Sequence, residues 1–572
     1  MSRSFMWLWH QGWVSTVAGT VSASCLALVF YWPHLSLLCW IALVPWFLFV
    51  WGSNCHDWRS AGLAGAMAGL VYYGAILLPL TSVSWWGWGT VSVQQAGQVL
   101  SQQRLFMLGV WSLATLWGGL WWGGWSVLLW RLRGQSLLTR WVLAPVLWIV
   151  LLETIGYATV FQYSWGWLGS LMAQDVVTRQ LASLFGVKGI SWLIVMMNTT
   201  LALAAASIPA GGSWINRLRS LWTNRPVRFT LVRGGVLAVA CLAYSVCSVA
   251  RPLTVAPQDV LRVALLQGNV TNYTPADFTP QGLDRVYGEL IERTLQQPVD
   301  LMVLPESVWL ATLSLDGSQP SEPDPYLMHA QAFHAGLAHR LLDRPTLLAF
   351  GLDTVQGSRP HNSLLYWSSQ GPLGIYHKRA LVPFAEYRPA LLGRLAPDNQ
   401  LHHAEFAYAP GHAPMIVSHG VHRFGSIICQ EILRPDLVRD TVRAGASLLL
   451  TTGNEGVFKN PLVARIQLDA ARLRSVEQRR WMVRTTKTGP SALIDPWGRV
   501  TIMAPQDRRA IVTGRVTDLR SLTPYAQWGT VGMLALLGLV VTGLSVIGPY
   551  LRKLRYDGHA PKTELVQGGI SP

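Results

Sequence analysis

The hydrophobic pattern divides the chain before any single residue does. Residues 1 to about 250 consist of long apolar runs, 258–520 of short alternating patterns, and 528–550 of one further apolar run. Seven runs in the first part, near 14–32, 35–52, 60–81, 105–130, 138–158, 189–209 and 230–250, each approach the ~20 residues a helix needs to cross ~30 Å of hydrocarbon. The run at 528–550 predicts an eighth. Pro33 marks a tight turn between the first two. No small-residue cleavage site followed by a soluble start succeeds the first run, so it reads as a membrane helix rather than a removable leader.

The middle region alternates strand and helix periods. VLRVALLQGN predicts a strand, LDRVYGELIERTLQ an amphipathic helix and DLMVLPE a second strand. A helix near 328–342 and the strand PTLLAFGL follow, then a strand pair in SLLYWSS and GIYHKRAL. FGSIICQE and ASLLLTTGN read as buried strands on either side of the helix PDLVRDTVRAG. A long helix near 461–480 leads to strands in WMVRTT, SALIDPWGRV and AIVTGRV. Such alternation predicts a layered α/β domain, with polar groups at the C-terminal strand ends lining a site. The expected organisation is a membrane domain at 1–257, an external domain at 258–520, a final membrane helix at 521–555 and a disordered tail at 556–572.

Composition agrees with a membrane protein. The 572 residues are 51% hydrophobic and 13% charged, with 29 tryptophans, against a charged share nearer a quarter in soluble domains. The arginines set the orientation. Arg59 lies between the second and third runs, and Arg131, Arg133 and Arg140 between the fourth and fifth. Arg217, Arg219, Arg225, Arg228 and Arg233 lie between the sixth and seventh, and Arg552, Lys553 and Arg555 follow the eighth. Alternate loops hold little beyond Arg104, Arg179 and Lys188. The positive-inside rule therefore places both termini in the cytoplasm and the 258–520 domain outside. Much of the net charge of +16 is thus a topology signal and not a nucleic-acid surface. No phosphate loop, zinc-spaced cluster or RNA-binding signature appears.

Cys429 is the only cysteine after Cys247; Cys25, Cys39, Cys55, Cys241 and Cys247 lie in or beside apolar runs. It has no disulfide partner in the polar region and too few companions for a zinc site, which leaves a buried hydrophobe or a nucleophile. Glu306 in LMVLPES, Lys378 in GIYHKRAL and Cys429 in SIICQE all occupy strand ends. A carboxylate to take the thiol proton, an ammonium to stabilise a tetrahedral oxyanion and favour thiolate, and a thiol make a complete set for acyl transfer. Taken singly, each is as ordinary as a strand-end glutamate, a surface lysine or a buried cysteine. Only Lys378, Lys459 and Lys487 occur in this arginine-rich domain, so a lysine at a strand end is a hint that an ammonium is wanted.

The motifs LLQGNV, LPES, YHKRALVPFAEYRP, IICQEI, ARLRSVE, IDPWGR and TPYAQWG, with QLASLFGVKGISWLIVMMN before them, occur in the order found in apolipoprotein N-acyltransferases. The chain resembles that family, a membrane-embedded branch of the nitrilase (carbon–nitrogen hydrolase) superfamily, over nearly its full length. The resemblance implies an αββα sandwich outside the membrane beside about eight membrane helices. It also implies a Glu–Lys–Cys triad in which Glu306 is the general base, Lys378 the oxyanion-stabilising residue and Cys429 the nucleophile. Glu386, Glu431, Asn454 and Phe458 match further active-site positions of the family. The sequence departs from it at Gln430, Val457, Gln467, Lys487 and Gln527, which bears on lipid and acceptor contacts rather than on the triad.

The function implied is transfer of a fatty acyl chain from a phospholipid, through a Cys429 thioester, to the α-amine of a diacylglyceryl-cysteine on an apolipoprotein. This would occur at a bacterial inner membrane, by a monomer, with no cofactor, metal or nucleic acid. The alternatives are a membrane-tethered hydrolase in which water takes the acyl group, a relative with another amine acceptor, or a catalytically silent scaffold. The tryptophan-rich stretches at 83–89 and 163–167 fall in expected external loops, where they rim a lateral lipid opening or form an ordinary aromatic belt.

Overall fold

The computed structural model describes residues 3–82, 93–156, 164–251 apart from 210 and 212, 260–271 and the greater part of 277–539. Residues 83–92, 157–163, 252–259, 388–407 and 540–572 lie outside the described residues, as do the expected loop at 83–89, most of the final span and the tail.

The first half is helical: α1 (Arg3–Tyr31), α2 (Val44–Trp51), α3 (Trp58–Leu77), α4 (Val93–Arg131), α5 (Leu137–Trp148), α6 (Ala182–Ala205), α7 (Trp214–Thr223) and α8 (Arg225–Ala250). Among the described residues six helical stretches are long and apolar enough to cross a membrane: Pro33–Trp51, Trp58–Ser82, Arg104–Gly134, Leu137–Ile155, Thr178–Ala205 and Arg225–Ala250. The first expected span falls on α1, whose apolar stretch Val17–Tyr31 is shorter, and the eighth starts as helix at 524–536. Pro33 does begin a new element, but 35–52 is not one helix: a 3-10 segment (Pro33–Trp40) precedes α2. Pro145 inside α5 removes a backbone donor, and the helix continues as a π segment over Ile149–Ile155. α7 was not expected; its polar half hides it from a search for apolar runs.

The second half contains two stacked sheets. In the larger, β14 (Ala510–Thr517), β1 (Val260–Gln267), β2 (Leu301–Val303), β5 (Leu347–Gln356), β3 (Thr312–Ser314) and β4 (Leu327–His329) lie side by side, and β6 (Arg359–Ser368) and β7 (Gly371–His377) continue from β5 as an antiparallel pair. The smaller runs β13 (Val500–Met503), β12 (Ala492–Ile494), β11 (Met482–Thr486), β10 (Leu448–Gly453), β9 (His422–Ile428) and β8 (Ile416–His419). β9, β10 and β11 are parallel and in register, with Thr452 opposite Ile428 and Gly453 opposite Thr486. The expected helix near 328–342 is corrected at its start, where β4 stands; 330–335, 337–339 and 341–343 lie outside the described residues.

The two-residue period of each strand explains the layering. On β1, Leu261, Val263 and Leu265 face the other sheet, while Ala264 and Leu266 pack under α9 (Pro280–Thr294). On β9, Phe424 and Ile428 point inward, and Ile427 packs under α10 (Pro435–Arg443) with Leu468 of α11 (Pro461–Gln478). The order helix, sheet, sheet, helix is the expected αββα sandwich.

α11 docks this sandwich onto the membrane helices. Asp469 accepts from Gln174 Nε2 at 3.1 Å, and Glu477 accepts from the Val187 backbone at 2.9 Å. Arg465 donates to the Tyr31 carbonyl at 3.1 Å. Gly186 has φ 69°, and a Cβ there would meet the Tyr525 ring at 2.4 Å, so both backbone and space require glycine.

Candidate active site

Each expected triad residue leaves a strand. Glu306 follows β2 by three residues, Lys378 follows β7 directly and Cys429 follows β9 directly. Two exits use left-handed backbone, Ser307 at φ 48° beside Glu306 and Cys429 itself at φ 52°. For residues other than glycine this conformation costs of order 1–3 kcal/mol and clusters at functional sites. Gly351 of β5 lets the Glu306 turn approach: a Cβ there would lie 2.5 Å from the Glu306 Cα, against backbone that has no room to give.

The three side chains meet in a closed cluster, with Glu306 5%, Lys378 1% and Cys429 7% exposed. The Lys378 ammonium donates to Glu386 Oε1 at 2.7 Å and to Glu306 Oε1 at 3.3 Å. Asn362 Nδ2 donates to the same two oxygens, at 2.7 Å to Glu306 and 2.9 Å to Glu386. Burial alone lowers the affinity of Lys378 for its proton; Glu306, Glu386 and Cys429 together outweigh burial and hold it well above the usual lysine range. Burial, then the charge of Glu306, push the Cys429 thiol well above the usual cysteine range, while Lys378 and a backbone hydrogen bond from Asn454 act against them. Lys378 does favour the thiolate, as expected of a nearby cation, but burial and the charge of Glu306 outweigh it. Burial is the largest of these opposing effects, so the balance at rest favours the thiol.

The other expected residues divide by what they touch. Glu386 holds the lysine, and its Oε2 accepts from the Val382 backbone at 2.8 Å. Glu431 touches no triad side chain in the described hydrogen bonds. Its Oε1 accepts from the backbone of Arg379 at 2.6 Å and Ala380 at 3.0 Å, and its Oε2 from Ile428 N–H and Tyr376 Oη, both at 2.8 Å. It thereby ties the residue before Cys429 to the two residues after Lys378. Asn454 follows β10 beside the nucleophile turn, with its Oδ1 buried and unpartnered within the described structure. Phe458 is half-buried at the end of the next turn, its N–H on the Glu455 carbonyl at 2.9 Å.

Sequence reasoning missed Asn362 and Glu455, and treated Lys487 only as a departure. Asn362 lies inside β6, where nothing in an alternating strand singles it out. Glu455 is buried and paired with Arg484; burial first, and Glu306 to a lesser degree, raise its hold on a proton, and its own charge acts against a Cys429 thiolate. Lys487 leaves β11 at the level of Asn454. Burial draws it down to about 8, with Glu306 and Asp353 pulling the other way. Of the other departures, Gln430 and Gln467 are buried and Gln527 is exposed. Of the 163–167 stretch, Ser164 donates its N–H to the Leu433 carbonyl at 3.1 Å, Trp165 donates to Ile76 at 2.9 Å, and Trp167 is buried. Trp165 is half-buried and, with Ser164 and Gly166, borders a cavity also lined by Phe30, Pro33 and Arg465.

The profile of the carbon-nitrogen hydrolase family matches residues 262–525, which covers the two sheets and the cluster. An amidase from Nesterenkonia sp. of solved structure is 19% identical, covering 48% of this chain and 95% of its own, at a TM-score of 0.35. The membrane half is shared with a narrower group. An apolipoprotein N-acyltransferase of Azotobacter vinelandii is 31% identical over 411 residues, 70% of this chain and 72% of that protein. One from Pseudomonas syringae pv. tomato is 28% identical over 563 residues, 96% of this chain and 99% of that protein. The chain carries a carbon–nitrogen hydrolase domain on apolar helices in a bacterial membrane protein. It belongs to the apolipoprotein N-acyltransferase family.

Proposed function

We propose that the chain moves a fatty acyl group from a membrane phospholipid to the α-amine of a diacylglyceryl-cysteine at the N-terminus of an apolipoprotein. The acyltransferase class comes with the family; donor, acceptor and residue roles are the reading advanced here. Cys429 Sγ attacks the ester carbonyl as Glu306 takes the thiol proton, and the Lys378 ammonium balances the oxyanion. Collapse breaks the ester C–O bond, and Glu306 returns the proton to the departing alkoxide, releasing a lysophospholipid. The acceptor amine then attacks the thioester. An amide forms, the C–S bond breaks, and the amine's proton passes by way of Glu306 to the sulfur. Glu386 and Asn362 position Lys378 and Glu306, and Glu431 positions the nucleophile turn.

The observation that carries this reading is the single buried cluster of base, ammonium and thiol at neighbouring strand ends, in a domain docked onto membrane helices. Docking supports a surface reaction, in which an acyl chain stays in hydrocarbon while its ester meets the thiol. The arginine pattern further supports both termini in the cytoplasm, the 258–520 domain outside, and a membrane domain at 1–257 with a last helix at 521–555. We take the active unit to be a monomer. The test is mass spectrometry of the Cys429 peptide after incubation with phospholipid, with and without a diacylglyceryl peptide. An acyl adduct that the peptide discharges as an amide supports the proposal; discharge to free fatty acid alone assigns a hydrolase instead.

A further inference from the structure

The helix α7 has no part in the site, yet four of its apolar side chains are exposed. It has ten residues, begins on the Ser213 side chain and ends at Asn224, which opens α8. Trp214, Ile215, Leu218 and Trp222 are 71%, 59%, 49% and 57% exposed. At 3.6 residues per turn these four and Leu221 fall within an arc of about 120°. Positions 217 and 219, both arginine, lie about 40° beyond either edge of that arc, and Asn216, Ser220 and Thr223 occupy the far side.

The neighbouring span fixes the level of this helix. α8 has 26 residues. At ~1.5 Å per residue it is ~39 Å long, against ~30 Å of hydrocarbon, so its opening turns stand among the headgroups. Those turns carry Arg225 and Arg228, and no aspartate or glutamate occurs between Asp175 and Asp259. An apolar arc edged by arginines and joined to a span at headgroup level suits the boundary between acyl chains and phosphates. A ten-residue face is also small beside the ~800 Å² per partner of a stable protein interface.

We propose that α7 is an interfacial anchor that lies along an anionic phospholipid leaflet, with Trp214, Ile215, Leu218 and Trp222 at the acyl-chain boundary and Arg219, Arg225 and Arg228 on lipid phosphates. The anchor pins the connection between α6 and α8, and α8 leads into the catalytic domain. The inference is independent of the acyl-transfer chemistry and is tested without an activity assay.

The full chain is placed in nanodiscs of phosphatidylcholine, alone or with about one-third phosphatidylglycerol, and amide exchange is followed across 214–223. Exchange should be at least about tenfold slower with phosphatidylglycerol, and about 0.5 M salt should abolish the difference in the unaltered protein. The pair Arg219→Gln and Arg228→Gln should lose the same protection. Equal exchange in both lipids overturns the proposal. So does protection that rises with copies of the protein per disc and ignores lipid charge, which would assign the face to a second copy.

Discussion

Burial, with the charge of Glu306 beside it, holds the Cys429 thiol against ionisation, so loss of the base should be felt at the first step, when an ester arrives. Glu306→Gln is expected to slow Cys429 acylation by about 10²–10⁴, and Cys429→Ala to abolish the adduct while membrane insertion persists. Adduct yield by mass spectrometry checks both, and wild-type acylation by the glutamine variant would remove Glu306 from its role. Lys378→Arg should not rescue, since a broad planar fork replaces a compact ammonium seated 2.7 Å from Glu386 and 3.3 Å from Glu306; the expected loss is about 10²–10³ in acylation rate. Lys487 gives a pH signature. Its folded value near 8 lies below the unfolded lysine value of ~10.4, so its burden on the fold is fully present below 8 and lifts as pH rises towards 10. That burden is roughly 3 kcal/mol, as an order of magnitude. Lys487→Gln should therefore raise the unfolding temperature more at pH 6.5 than near pH 10, and an increment that does not depend on pH would contradict the assignment. That Glu306, Lys378 and Cys429 belong together was legible only in part: the scarcity of lysine and cysteine singled out two of them, and the family resemblance joined the three. Asn362 was not legible, because its importance arises only when β6 brings it between Glu306 and Glu386.

At the scale of elements, the site depends on turns held from outside the reacting atoms. Glu431 accepts four hydrogen bonds, three of them from backbone N–H groups at the exits of β7 and β9. A glutamine there must turn an amide NH₂ towards one of those donor pairs, leaving buried donors unmatched at about 1–3 kcal/mol each. Glu431→Gln should lower the unfolding temperature and slow turnover, yet still yield some Cys429 adduct, since neither base nor nucleophile is touched. Complete loss of adduct at an unchanged unfolding temperature would instead place Glu431 in the chemistry. The long elements were readable from periodicity: β1, β5, β9, β10, α9, α10 and α11 fall where the sequence pattern puts them. Three- and four-residue strands such as β3, β4 and β8 carry too few positions to show a period. The π segment after α5 was likewise invisible, because apolar composition does not report which carbonyl each N–H will choose.

At the scale of the whole molecule, the docking of α11 makes the orientation of the sandwich a consequence of membrane topology. Asp469, Arg465 and Glu477 reach Gln174, the Tyr31 carbonyl and Val187, so the domain cannot occupy the far side of the membrane while these contacts persist. The number of crossings before residue 258 then decides where the N-terminus lies. Six stretches qualify by length and hydropathy among the described residues, and α1 is the seventh only if its 29 residues cross as well. Six crossings would put the N-terminus on the same side as the sandwich; seven would put it opposite. At ~1.5 Å per residue α1 is ~44 Å long, ample for ~30 Å of hydrocarbon. Arg59, in the first turn of α3 just after the Pro33–Trp51 stretch, asks for the cytoplasm, and only a crossing α1 lets the N-terminus share that side. Reporters that are active on one side only, fused at the N-terminus, within the 258–520 domain and at the C-terminus, should therefore give one side for both termini and the other for the domain. An N-terminal reporter that agrees with the domain would remove α1 from the membrane and reduce the crossings before the sandwich to six.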